Sequence, residues 1–168
     1  YASFIAGQND TNTSINFTGS DVITFNNGGS EAARIDSSGN VGIGTSSPSQ
    51  SLEIVGATAS SGDARSNVII TDNTAYASGV GGGVVFRAKY NTAGSITNMA
   101  SIQGFKENST DGNYAGGLLF TTRANGAANA EAMRIDSTGN VGIGDSSPTS
   151  YNALGSSRQL IVGSSGGS

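Results

Sequence analysis

Cysteine and histidine are both missing from this 168-residue chain. Without cysteine there is no disulfide framework and no thiol chemistry. Without histidine the chain lacks the commonest metal ligand and the commonest general base. No apolar run approaches the length of a transmembrane helix or a signal-peptide core, so no membrane insertion is expected. Lys and Arg total 8 against 12 Asp and Glu, giving a net charge of −4. The basic residues are scattered singly and leave no footprint for nucleic acid. Strong helix formers are scarce as well: Ile and Val far outnumber Leu, and Glu and Lys are few. That is a strand composition, and almost no helix is expected.

Gly, Ser, Thr and Asn fill about half of the sequence. Large aliphatic residues are sparse enough to raise disorder, but disorder also wants a high net charge, and this chain has little. An ordered β protein with a thin intrachain core follows, in which oligomerisation supplies the missing burial.

The chain repeats itself. EAARIDSSGNVGIGTSSP, Glu31 to Pro48, returns as EAMRIDSTGNVGIGDSSP, Glu131 to Pro148, with changes only at Ala33/Met133, Ser38/Thr138 and Thr45/Asp145. One structural unit is therefore used twice. Arg34-Ile35-Asp36 and Val41-Gly42-Ile43-Gly44 alternate as strands do. Ser37-Ser38-Gly39-Asn40 between them reads as a tight hairpin turn, with Asp36 and Ser37 able to bond its amides. Pro48 ends the second strand. Glycine at 42 and 44 weakens a strand unless another backbone comes close on that face. A narrow fibre of several chains is one arrangement that needs this.

RIDSSGNVGIGTSSP followed by SLEIVG resembles the repeat of phage tail-fibre and related virion appendage proteins. GGGVVFRAKY, MASIQGFKENSTDGNYAGGLLFTTRANG and EAMRIDSTGNVGIG follow one another as in marine-phage members of that family. The similarity runs from about Ile23 to Pro148. It implies an all-β, elongated fibre of short antiparallel hairpins and β-sheet modules, intertwined as a homotrimer. It also implies a virion location, contacts with other virion or tail proteins, and a host-surface glycan or protein receptor. Such proteins lose a C-terminal chaperone domain after assembly. No segment here resembles that domain, and both ends read as cut edges of a longer protein.

Three segments are expected: 1–56 as a first β-repeat unit, 57–123 as a central antiparallel β-sheet module, and 124–168 as a second repeat unit with the start of the next segment. In the first, Ile15–Thr18 and Val22–Phe25 are strands. Asn26-Asn27-Gly28-Gly29 is a hairpin signal, and Leu52–Gly56 is a further strand. Leu160–Gly163 is its counterpart, reached through an insert in the YNALGSS region. Ala57–Ser66 is linker-like. In the central segment Asn67–Asp72, Val84–Tyr90, Ile96–Lys106 and Tyr114–Arg123 read as strands. The turns lie at Asn91–Ser95 and Asn108–Asn113. Along Val84–Tyr90, Val84, Phe86, Ala88 and Tyr90 share one face, and Arg87 and Lys89 take the other.

Each apparent chemical motif has a plainer reading. Gly163-Ser164-Ser165-Gly166-Gly167 matches the GxSxG elbow, but that elbow needs a histidine, so the match is a Ser/Gly tail. Gly79–Gly83 is a bulge or close-packed strand start rather than an anion cradle. Asp36 and Asp136 cap turns, with a calcium site across a trimer axis as the outside alternative. Arg34 and Arg134, three residues after a glutamate, make cross-strand or interchain ion pairs. Tyr76, Tyr90, Tyr114 and Phe105, read as exposed, suit either interchain packing or stacking on sugar rings.

No catalytic, cofactor-binding or metal residue is assigned, and no enzyme activity is expected. The rival readings are a non-viral surface filament or adhesin of similar repeats, and a glycan-degrading tailspike. The tailspike would need two carboxylates about 5–10 Å apart in a groove. The two near-identical repeats suit a scaffold. Phe86, Arg87, Lys89 and Lys106, with the aromatics already named, lie in the segment between them, so any host contact is expected at its turns, Asn91–Ser95 and Asn108–Asn113.

Overall fold

A computed structural model describes residues 4–7, 9–57, 67–148 and 160–162. It is all-β, with no α-helix among the described residues. Backbone contacts divide the chain into two units, Tyr1–Ile69 and Ile70–Ser168. Each holds one six-stranded sheet whose strands lie in sequence order.

The first sheet contains β1 (Phe4–Gly7), β2 (Asp10–Thr18), β3 (Val22–Asn27), β4 (Ser30–Ile35), β5 (Val41–Ile43) and β6 (Leu52–Ile54). The pairs from β1 to β5 are antiparallel. The Asn-Gly signal delivers the turn it announces: Gly28 and Gly29 link β3 to β4 with φ of 59° and 77°, the left-handed pair that a two-residue hairpin demands.

The second sheet contains β7 (Gly83–Lys89), β8 (Ile96–Lys106), β9 (Gly116–Arg123), β10 (Asn129–Ile135), β11 (Val141–Ile143) and β12 (Leu160–Val162). The central strands and the second repeat thus share one sheet. The expected boundary after Arg123 falls between paired strands, with Asn129 of β10 opposite Arg123 of β9. Pairing with β10 gives β9 the neighbour that a sheet edge would lack.

Two other expectations change. Asn67–Asp72 forms no strand. Its Ile70 carbonyl instead lies over Gly82, only 1.9 Å from where a Cβ would stand, and Asp72 accepts the N–H groups of Thr74 and Gly81. The glycine-dense 79–83 segment is a close-packed strand start, since a Cβ on Gly81 would meet the Gly104 carbonyl at 1.9 Å. The linker-like reading from Thr58 to Ser66, the YNALGSS insert and the Gly163–Gly167 tail lie outside the described residues.

The repeat closes each sheet in the same way. β5 pairs with β6, and β11 with β12, in parallel. Parallel neighbours normally need a crossover of about a dozen residues or more, usually a helix. Residues 44–51 make the first crossing as a compact loop, and that loop folds back onto the sheet. A Cβ on Gly42 would stand 2.6 Å from the Thr45 carbonyl oxygen, and one on Gly142 would stand 2.2 Å from that of Asp145. Pro48 and Pro148 are buried with these glycines. The close backbone that the glycines announce therefore belongs to the same chain, not to a neighbouring one. Gly44 adds a φ of 71°, and a Cβ there would meet the Val55 carbonyl at 2.0 Å.

Valine at position 42 or 142 must displace this backbone. Gly42→Val and Gly142→Val are each expected to lower stability by about 1–3 kcal/mol or more. Ser38→Ala, at an exposed turn position, should stay within about 0.5 kcal/mol. Denaturant melts of the three variants check this, and equal small effects would remove the close approach from the account.

Candidate functional site

Strand register sorts the side chains of each sheet onto two unlike faces. In the first sheet Ile5, Ile15, Phe25, Ala33, Ile43 and Ile54 stand opposite one another across all six strands. Phe17, Ile23, Ile35, Val41 and Leu52 form a second row two residues along. The opposite face carries Asn16, Thr24, Arg34, Gly42 and Glu53.

The covered face is the polar one. Thr24 is 4% exposed, and the crossover loop lies over Gly42. Glu53 fastens that loop by accepting the N–H and hydroxyl of Ser49, at 2.7 and 2.9 Å. On the aliphatic face Ile5 is 62% exposed, Phe17 51% and Leu52 58%.

The second sheet repeats the division. Val84, Ile102, Phe120, Met133 and Ile143 form one row. Gly104, Leu118, Ile135 and Val141 form the next. Val84, Ile102 and Ile143 remain exposed. Its other face has gained Phe105, the one large apolar side chain to be buried among the described residues. The Phe105 ring covers Gly117, and the Arg134 guanidinium sits 5.0 Å from its centroid. The sequence reading puts Phe105 among the exposed aromatics, and the register explains the difference. Gly117 stands directly opposite it and leaves the space its ring fills.

Arg34 and Arg134 find their partners within their own strands, not across a ladder or between chains. A spacing of three would normally put Glu31 and Arg34 on opposite faces. The ladder slips between Phe25/Asn26, and again between Glu131/Met133, adding a residue that restores them to one face. Each arginine then grips its glutamate with two bonds, at 2.6 and 2.7 Å in the first copy and 2.6 Å twice in the second. The bulge residues, Ala32 and Ala132, offer their carbonyls to Gly44 and Gly144.

Asp36 and Asp136 are turn caps, as expected. Asp36 accepts the N–H groups of Ser38 and Asn40 and the Asn40 amide. Asp136 does the same with Thr138 and Asn140, and also takes the Thr138 hydroxyl. The bond from the Asn40 N–H, with the others, holds the Asp36 carboxyl below the usual aspartate range. Partial burial pushes Asp136 up, but its bonds from Asn140 and Thr138 outweigh this and hold it low too. The second turn is further tied to Glu107, which accepts the Ser137 N–H at 2.5 Å and its hydroxyl at 2.6 Å. Among the described residues no three acidic side chains gather in a way that could hold a metal ion.

Both central turns are built from their own side chains. Asn91 accepts the Ser95 N–H, and Asn108 accepts that of Thr110. Lys106 reaches over the second turn to the Asn108 side chain and the carbonyls of Thr110 and Asn113, so its ammonium is committed to holding that loop. Tyr76 and Tyr90 are each 60% exposed, and Tyr114 is 97% exposed.

A carboxyl held low in the folded chain stabilises it fully above its unfolded value, and that contribution is lost as pH falls through the folded value. Stability should therefore drop as pH is lowered below about 4. The double variant Asp36→Asn, Asp136→Asn should start less stable and lose less on acidification, as read by melting temperature against pH. An acid slope unchanged from the parent chain would remove the two caps from this account.

No protein-family model and no curated protein sequence matches this chain.

Proposed function

We propose that this chain is a structural segment of a phage tail fibre or related virion appendage, assembled as a homotrimer and serving host attachment. The observation that carries the reading is the open aliphatic face of each sheet. With rows about 7 Å apart and strands about 4.8 Å apart, the eleven positions of the first face cover about 370 Å² and the nine of the second about 300 Å². Apolar patches of this size on soluble proteins are often functional. The two faces total about 670 Å², somewhat under the roughly 800 Å² that one partner contributes to a standard stable interface.

In this reading the neighbouring chains supply the burial that a single chain lacks, and the assembly works mechanically. Uncapped edges support it too. Strand β7, an edge of its sheet, is exposed at all seven residues, and such edges in stable proteins are paired or covered. The repeated Glu31–Pro48 and Glu131–Pro148 sequences, which resemble those of tail-fibre proteins, add the virion context. A glycan-degrading reading finds less support. The carboxylates of Asp10, Asp36, Glu53, Asp72 and Asp136 bond to backbone amides, and those of Glu31 and Glu131 to arginines.

Sedimentation of the purified chain should give a trimer, with no folded monomer at accessible concentrations. Ile43→Asp and Ile143→Asp should dissociate it, whereas Ser38→Asp, off this face, should not. A compact monomer with a cooperative melt would overturn the proposal.

A further inference from the structure

The second sheet gathers its uncommitted positive charge at one end. Of the six described basic side chains, Arg34 and Arg134 are held by glutamates and Lys106 by its loop. Arg87, Lys89 and Arg123 remain, and none makes an ion pair among the described residues. These three are neighbours. Ala88, between Arg87 and Lys89 on β7, stands opposite Thr97 of β8. The Thr97 hydroxyl accepts a bond from the Arg123 guanidinium, which fixes the arginine tip beside that strand.

An open groove of about 530 Å³ lies here, lined by Tyr90, Ile96, Thr97, Met99, Arg123 and Asn125. Its volume falls within the range of about 300–1,000 Å³ common to small-molecule sites. Its wall combines unlike chemistries. Tyr90 presents a ring that is 60% exposed, Ile96 and Met99 an apolar floor, and Asn125 an amide.

We infer that this groove binds an acidic polysaccharide, a sugar chain bearing carboxylate or sulfate. The exposed Tyr90 ring offers a flat apolar face to the C–H side of a pyranose. Arg123 has five N–H donors, and the Thr97 hydroxyl takes one of them. The others form the planar fork that fits an acid group with two parallel bonds. Asn125 can both donate to and accept from sugar hydroxyls. Arg87 and Lys89 flank Ala88 on the edge strand and add positive charge to this end of the sheet, which raises the local potential. The chain's net charge of −4 works against general adhesion to polyanions, so the groove must select by shape as well as charge.

This inference names the ligand class for the attachment role proposed above and rests on that reading. Calorimetry on the full chain would compare polygalacturonate, its fully methyl-esterified form, dextran sulfate and an oligothymidylate. Polygalacturonate or dextran sulfate should bind, the stronger of the two identifying the acid group. The methyl ester should bind at least about tenfold more weakly than polygalacturonate if carboxylate is the acid read. Arg123→Gln should weaken the preferred acidic ligand by at least about tenfold. Tyr90→Ala should weaken it several-fold, and Arg87→Gln with Lys89→Gln should flatten its salt dependence.

Sedimentation of each variant keeps the two readings apart. A trimer that binds no acidic glycan overturns the site alone, whereas a monomer that binds one overturns the assembly and leaves the site standing. Binding of the oligothymidylate as tight as that of the acidic glycan, or no change in Arg123→Gln, would also overturn the site.

Discussion

Both sheets depend on one close approach, that of the crossover carbonyl at Thr45 or Asp145 to the glycine of the preceding strand. In the first sheet it lets a parallel strand be added after the short loop 44–51, without the helix that such connections ordinarily use. It also settles which face is closed. The loop, with Pro48 or Pro148 inside it, covers the face that bears arginine and glycine. The aliphatic side is left open, with Ile5, Phe17, Leu52 and Ile43 exposed in the first sheet.

Much of this was legible in the repeat. Period-two alternation gave the strands, and Gly39 with Asp36 marked the turn that the structure builds, where Gly39 has a φ of 82°. The excess glycine did mean close backbone contact. What stayed hidden was whose backbone it was, because sequence records the space a residue leaves and not the identity of what fills it. The bulges were hidden for a related reason. Glu31 and Arg34 look mispaired for a strand, and only a register slip puts them on one face. Phe105 could have been placed from the glycines opposite it, but only once the β8–β9 register was known.

The two copies of the repeat do not stand on equal foundations. In the first sheet the buried residues are small or polar, as at Thr24. In the second, Phe105 packs against Gly117 under Arg134, and Glu107 reaches across to the turn at Ser137. Strand β8 runs eleven residues, the longest in either sheet, and supplies both Phe105 and the segment leading to Glu107. The repeat is the constant end-piece, and the strands paired ahead of it decide how firmly it is held.

That division of labour explains where recognition chemistry can reside. Inside the repeat nearly every polar group is already engaged: Glu31 by Arg34, Asp36 by its turn, and Glu53, just beyond it, by the crossover. A group so engaged can bind a ligand only by giving up the bond that holds its own loop, which makes the repeat costly to adapt. The edge formed by β7 and the end of β8 carries no such obligation. Arg87, Lys89 and Tyr90 can change there without disturbing a crossover, a cap or a bulge. A chain built this way can hold its scaffold constant while altering its β7 edge, because the two draw on different residues.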